Sequence, residues 1–205
     1  MKRHKIERLV LATGNRGKFR ELEKLLRGTG ITLQGLSDYP GFRMPEENGT
    51  TFLENARLKA RALGEASSSW VLSDDSGLVV EALDGAPGVH SARYAGPRAS
   101  DRENNLKLLA ALEGLPPENR GAAFVCVLVL RSPVGEEWSF SGRCSGRIGT
   151  ALTGSGGFGY DPLFLVAPDF RRAMAELSPE EKNRISHRGA ALRKFCDWLS
   201  AAKNS

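Results

Sequence analysis

The chain reads as an α/β protein built on a mixed β-sheet, and three features of the sequence predict this. Apolar runs of strand length alternate with stretches of helical periodicity. The links between strand runs are of two kinds, short hairpin turns and longer crossovers. Three capping boxes, Ser or Thr followed three residues later by Glu, mark helix starts between those runs.

Taken in order, Ile6 to Leu11 reads as a buried strand, Gly14 to Gly17 as a turn, and Lys18 to Arg27 as a helix. Phe19, Leu22, Leu25 and Leu26 share one face of that helix, and Gly28 and Gly30 stop it. Thr51-Phe52-Leu53-Glu54 opens a second helix through about Ala66. Val71 to Ser73 leads through Asp74, Asp75 and Gly77 into Leu78-Val79-Val80, a strand interrupted by an acidic turn. Ser100 to Glu103 opens a helix carrying Leu106, Leu109 and Leu112, which ends at Gly114 and Pro116-Pro117. Ala122 to Leu130 is an apolar strand, Ser132 to Gly135 its turn, and Trp138 to Ile148 an alternating, more polar partner. Ser178-Pro179-Glu180-Glu181 starts another helix with proline at its first position. The C-terminal helix carries Leu192, Phe195, Trp198 and Leu199. The pattern leaves the order of strands in the sheet open.

With 205 residues, 40% of them hydrophobic and 26% charged, the chain has the balance of one globular domain over 1–205 rather than of a disordered or fibrous protein. The net charge of +5 comes from basic residues spread along the chain, with no run of five. That argues against a nucleic-acid arm, so no nucleic acid is expected as a partner, and an anionic small substrate such as a polyphosphate fits better. Cys126, Cys144 and Cys196 form no CxxC pair, which excludes a zinc ribbon or thioredoxin-type site and points to a reducing, cytoplasmic setting. Met1 to Lys5 is basic like a signal peptide's start, but Glu7 and Arg8 break the run beyond it, and Leu9 to Ala12 is too short for an apolar core. No stretch approaches membrane-spanning length, so no membrane role is expected.

Four constellations carry chemistry. Thr13-Gly14-Asn15-Arg16-Gly17-Lys18 sits between a strand and a helix. Its glycines permit close approach of the backbone, free N–H groups at the helix start favour an anion, and Arg16 and Lys18 add charge. It lacks Walker-loop spacing. The second constellation is acidic, Glu46-Glu47 and Ser73-Asp74-Asp75-Ser76-Gly77. Adjacent carboxylates are tolerated beside a cation or solvent, and Mg²⁺ commonly uses one or two carboxylates with substrate phosphates. In a strand Asp74 and Asp75 point to opposite faces, so one can face a metal while the other holds the turn. Third, Gly154 to Pro162 surrounds Phe158 and Tyr160 with glycines. A planar base can stack on such rings while the backbone and Asp161 read its edge. Fourth, Lys182 and Ser186-His187-Arg188 suit phosphate oxygens or a base carbonyl. His4 falls in a tail expected to be disordered, so a histidine metal site is not supported, and no GxSxG elbow supports a serine hydrolase. Taken singly, each of these is as easily a solvated turn, a glycine hairpin or a helix surface.

Together and in this order, they resemble the inosine triphosphate pyrophosphatase family, the non-standard purine nucleoside triphosphate pyrophosphatases. The matching stretches are Leu11 to Lys18, Thr51 to Ala56, Ser73 to Leu78, Gly85 to Gly96, Gly156 to Pro162, Ala175 to Leu177, Glu181-Lys182 and Ser186 to Gly189. The resemblance implies an elongated mixed sheet flanked by helices, two lobes around an active-site cleft, and a homodimer. It implies Mg²⁺-dependent hydrolysis of ITP, dITP or XTP to the monophosphate and pyrophosphate. Carried onto matching positions, Thr13 to Lys18 resemble triphosphate-binding residues. Asp75 resembles the proton acceptor and a metal ligand, and Glu47 the upstream acidic ligand, with Glu46 as the alternative. Ser76 resembles a substrate contact, and Lys18 and Lys59 resemble cations acting on the phosphates. Phe158, Gly159, Tyr160 and Asp161 resemble the base pocket, which Lys182, His187 and Arg188 complete. His187, Arg188 and backbone amides near Phe158 are the candidate donors to a 6-oxo base. Two positions depart from the family pattern. Leu152 stands where many relatives carry proline, and Ala123 where an arginine is common. A pyrophosphatase for modified pyrimidine nucleotides and a non-catalytic nucleotide- or RNA-binding protein are the competing readings.

Overall fold

The computed structural model describes residues 6–204. The basic start Met1 to Lys5, His4 included, lies outside the described residues. Six strands make one mixed sheet: β1 (Arg8–Ala12), β2 (Thr32–Gln34), β3 (Trp70–Val80), β4 (Gly121–Arg131), β5 (Glu137–Ile148) and β6 (Phe164–Val166), in the order β2-β1-β3-β4-β5-β6. β1 runs parallel to both β2 and β3, while β6 is antiparallel to β5. The helices are α1 (Arg16–Leu26), α2 (Phe52–Ser67), α3 (Asp101–Ala111), α4 (Pro179–Ile185) and α5 (His187–Asn204). The expected α/β class with a mixed sheet is what the chain adopts.

The local signals place these elements well. Thr51, Ser100 and Ser178 each accept a hydrogen bond from the backbone three residues on, and Glu54, Glu103 and Glu181 each answer the cap's own N–H, so all three capping boxes form. β4 is apolar and largely buried, whereas β5 alternates buried and exposed positions, as the two runs imply. Ser132 and Glu136 close the turn between them. Leu106 departs from the helical reading: it is exposed, and Leu108 and Leu112 take the buried line of α3.

β3 is the main correction. It is one continuous eleven-residue strand, not a strand broken by an acidic turn. Asp74 and Asp75 are buried within it. The chain has no need to turn out to solvent, because each carboxylate meets a lysine.

Two compact units divide the chain, where the resemblance implies two lobes. The first takes the described residues through Asp75 together with Val127–Ser141 and the residues from Ala191 onward, and the second takes Ser76–Cys126 and Gly142–Ala190. In the first, Val10, Ala12, Ala56, Ala60, Leu63, Val71 and Val129 form a core between α2 and the strands. Trp70 stacks on Trp138, and Trp198 packs against both. In the second, Leu78, Leu108, Leu112, Phe124, Ile148, Leu163 and Phe164 lead the core.

The second unit also buries Arg120, which is 3% exposed. Its guanidinium donates to the carbonyls of Leu112, Ile148 and Gly149 at 2.8–2.9 Å, tying the end of α3 to the end of β5. Arg120→Met would remove all three of these donors and leave the Leu112 carbonyl with only the Leu115 N–H. Urea unfolding should show a loss of about 3 kcal/mol, and a loss below about 1 kcal/mol would contradict this role.

Candidate active site

In the first unit the site is assembled by the β1–β3 register. Ala12 lies opposite Ser73 in parallel pairing, so the residues that follow Ala12 run beside Asp74 and Asp75. Lys18, in the first turn of α1, places its ammonium 2.5 Å from Asp74 Oδ2. On the neighbouring α2, Asn55 and Lys59 occupy the buried stripe that also holds Ala56, Ala60 and Leu63. Lys59 Nζ reaches Asp75 Oδ1 at 3.1 Å and Glu47 Oε1 at 3.0 Å. Asn55 donates to Asp75 Oδ2 at 3.3 Å and, through its own carbonyl, receives the Gly49 N–H at 2.8 Å. Glu46, the alternative to Glu47, is exposed.

The electrostatics follow from burial. Asp75 is 8% exposed, and desolvation holds its carboxyl above the usual aspartate range. Lys59 pulls it down and Glu47 pushes it up, and burial prevails. For Lys59, burial alone would lower the ammonium, yet the fields of Asp75, Glu47 and Asp74 together hold it above the usual lysine value. A carboxylate inclined to accept a proton thus sits beside a lysine inclined to keep its own.

The turn after β1 differs from expectation. The N–H groups of Gly17 and Lys18 are not free for an anion: Asn15 Oδ1 accepts them at 2.8 and 3.2 Å as the cap of α1. Thr13 Oγ1 in turn accepts the Asn15 N–H at 3.2 Å. A short Asx side chain satisfies these donors more cheaply than a distant ligand, so a phosphate here must compete with Asn15 or use side chains. The side chain of Arg16 lies outside the described residues.

The second unit gathers the remaining candidates. Ser76, next after Asp75 in β3, receives a hydrogen bond at 3.2 Å from Arg188 at the start of α5. His187 is buried and stacks on Phe124 at 5.0 Å between centroids. In the glycine loop Phe158 is 57% exposed, with Lys182 Nζ 4.6 Å from its ring centroid. Lys182 is also ion-paired with Asp161. Tyr160 does not offer its ring as expected. It is buried in the core, its hydroxyl donates to the Ser91 carbonyl at 2.9 Å, and desolvation pushes its phenol well above the usual range. The backbone donors expected for a base are also engaged, with the Phe158 N–H on Asp161 Oδ2 at 2.9 Å and the Gly159 N–H on Asp101 Oδ2 at 2.6 Å. The side chains of His187 and Arg188 are the other expected donors, and Arg188 already donates to Ser76.

Asn55, Asp101 and Asn105 carry parts of these clusters, and none of them is among the candidate site residues read from the sequence, although Asn55 lies in the matching stretch Thr51 to Ala56 and Asp101 in a capping box. For Asn55 the sequence holds a usable signal, since it and Lys59 lie four residues apart on an otherwise apolar helix face. For Asp101 and Asn105 nothing local points to Gly159, which is more than fifty residues away.

The donor set decides whether a divalent cation suits the first cluster. Glu47 and Asp75 already turn carboxylate oxygens toward one cation, the Lys59 ammonium. Hard oxygen donors of this number suit Mg²⁺, which completes its shell with phosphates and water. Among the described residues no three His, Cys, Asp or Glu side chains converge into a closed cage. The residues fit an open, substrate-completed site.

The first unit thus pairs buried carboxylates with lysines, and the second carries an aromatic glycine loop. The chain belongs to the Ham1 family, whose model matches residues 9–198. It is 52% identical to a dITP/XTP pyrophosphatase of Geobacter sulfurreducens, over 94% of this chain and 96% of that one. It is 49% identical to a dITP/XTP pyrophosphatase of Desulforamulus reducens, over 94% and 96%. Among solved structures it resembles a HAM1 protein from Coxiella burnetii, with TM-score 0.90, 41% identity and coverage of 96% and 100%. It also resembles the Staphylococcus aureus Ham1 protein, with TM-score 0.87, 42% identity and coverage of 95% and 98%.

Lys59→Met should leave Asp75 buried without its cation and cost about 3 kcal/mol in urea unfolding, and adding Asp75→Asn should restore most of that. A single variant as stable as the parent would contradict the pairing.

Proposed function

We propose that this chain hydrolyses non-standard purine nucleoside triphosphates (ITP, dITP and XTP) to the monophosphate and pyrophosphate. The reaction requires a divalent metal, Mg²⁺ in this reading. The observation that carries the proposal is the buried meeting of Asp75 and Glu47 on Lys59, in a chain about half identical, over nearly its whole length, to relatives named dITP/XTP pyrophosphatases.

The chemistry assigned to the residues is direct displacement by water. The water oxygen bonds to the α-phosphorus as the bond from that phosphorus to the bridging oxygen breaks, and pyrophosphate departs with the electron pair. Asp75 accepts the proton the water loses. Its raised proton affinity favours that role, since a general base works best with a pKa brought toward the working pH. Lys59 keeps its charge and steadies Asp75 and Glu47. Lys18, drawn off Asp74 by the stronger charge of a polyphosphate, holds the leaving group with Thr13 to Gly17 beside it. Glu47 and Asp75 would hold Mg²⁺, which when bound offsets the charge that develops on the phosphate oxygens.

Base recognition is assigned to the second unit. Phe158 offers its exposed face for stacking, and Ser76, His187 and Arg188 contact the substrate. Imidazole and guanidinium N–H groups suit a 6-oxo purine, and the guanidinium, a donor only, has nothing to offer the 6-amino group of adenine. The homodimer and the cytoplasmic setting belong to the same reading. The latter is supported by three cysteines that form no disulfide, and no helix among the described residues is long and apolar enough to cross a membrane.

Pyrophosphate release from ITP, XTP, GTP, ATP and dTTP, each with Mg²⁺ and with excess chelator, tests the proposal. Metal-dependent release from ITP and XTP should exceed that from ATP by at least about 100-fold. Preferential turnover of dTTP, or no release from any of them, would overturn it.

A further inference from the structure

The α3 helix grips the glycine loop at a single residue. Asp101 and Asn105 lie four residues apart, one turn of helix, and so face the same way. Asp101 Oδ2 accepts the Gly159 N–H at 2.6 Å, and Asn105 Nδ2 donates to the Gly159 carbonyl at 2.7 Å. Both backbone groups of one loop residue are therefore held by two side chains of one helix.

Details of Asn105 show what this contact is for. Its Nδ2 also donates to the Asp101 carbonyl at 2.7 Å. Both neighbours are carbonyls that can only accept, so the amide must present its nitrogen to them. Its own oxygen is buried and has no hydrogen-bond partner among the described residues, a costly arrangement that an apolar side chain would avoid. What the asparagine offers against that cost is its two donors, one of which reaches the loop.

What the grip fixes is the exposed ring. Gly159 has φ of +61°, and a Cβ there would meet nothing within 4 Å, so backbone conformation and not crowding requires glycine. Gly157, with φ of +76°, lies so close to Asp161 that a Cβ would collide with its carboxylate. Phe158 stands between these two left-handed residues, and Tyr160 anchors the far side through Ser91. An isolated run of small residues with an exposed phenyl ring would be free to swing. Here its exit is clamped by α3.

We infer that Asp101 and Asn105 are positioning residues for base recognition, setting the angle at which Phe158 meets the purine through the Gly159 backbone. Neither is assigned a contact with the base. The inference rests on the reading of Phe158 as the stacking face, and the clamp itself can be measured apart from that reading.

The test compares Asp101→Ala with Asp101→Asn. Both remove the Asp101 charge while Glu103 remains in the first turn of α3, so the contribution of Asp101 through the helix dipole is lost equally. Only asparagine keeps an oxygen able to accept from Gly159. Hydrogen exchange should show the Gly159 amide losing protection in Asp101→Ala and keeping it in Asp101→Asn. In steady-state assays with ITP, Asp101→Ala should raise KM roughly ten-fold with kcat changed far less, and Asp101→Asn should return KM to near the parent value. Phe158→Ala, run alongside, reports on the stacking face. If exchange or KM responds equally in the two Asp101 variants, or in neither while Phe158→Ala raises KM, the positioning role is overturned. If exchange behaves as described but Phe158→Ala leaves KM unchanged, the clamp stands as a fact of the loop while its link to base recognition is overturned.

Discussion

A carboxylate in the middle of a buried strand has to be answered by a cation, and in this protein the answer of Lys59 to Asp75 organises the first unit. Two ions withdrawn from water recover their desolvation cost only with close geometry and further hydrogen bonds. Asn55 and Glu47 supply these, one from the turn of α2 before Lys59 and the other from the extended segment leading to that helix. The capping box at Thr51 and Glu54 fixes where α2 begins, and so which residues face β3. A shift of one residue in that start would carry Lys59 about 100° around the helix and leave Asp75 without its cation.

The same logic operates at Asp74. Successive strand residues point to opposite faces, so the two aspartates need different partners, and Lys18 of α1 and Lys59 of α2 provide them. The two lysines differ in kind. Lys59 is locked between two carboxylates and buried, while Lys18 is partly exposed, with a single carboxylate on it. One is suited to holding a site together and the other to being drawn off by a more highly charged ligand. In the second unit the proposed base-binding surface is made differently, from a backbone loop whose Phe158 and Gly159 N–H groups are tied to Asp161 and Asp101 and whose exposed Phe158 ring carries Lys182 over its face.

Much of the fold is legible in the sequence because it is written locally. The three capping boxes, the alternation of β5 and the apolar run of β4 each depend on neighbours a few residues away, and each forms as the pattern implies. The acidic strand is illegible for the opposite reason. Ser73 to Gly77 has the composition of a turn, and only lysines 56 and 16 positions away in sequence make it a strand. Thr13 to Lys18 is legible as a loop before a helix, but Asn15 as the occupant of its amides is not, since a capping Asx and a bound anion satisfy the same donors. Tyr160 and Phe158 look alike in sequence, yet one has a buried carbonyl to meet at Ser91 and the other, lacking a hydroxyl, has no such tether.

In the proposed mechanism Asp75 acts as a base from a position held by Lys59 and not as a structural ion-pair member alone. Single-turnover hydrolysis of ITP by Asp75→Asn, with its melting temperature measured alongside, tests this most directly. Asparagine keeps the shape and accepts from Lys59 but cannot take up the water's proton. A loss of at least about 100-fold in the chemical step is expected, in a protein that still melts cooperatively near the parent temperature. Turnover near the parent rate in that folded variant would contradict it.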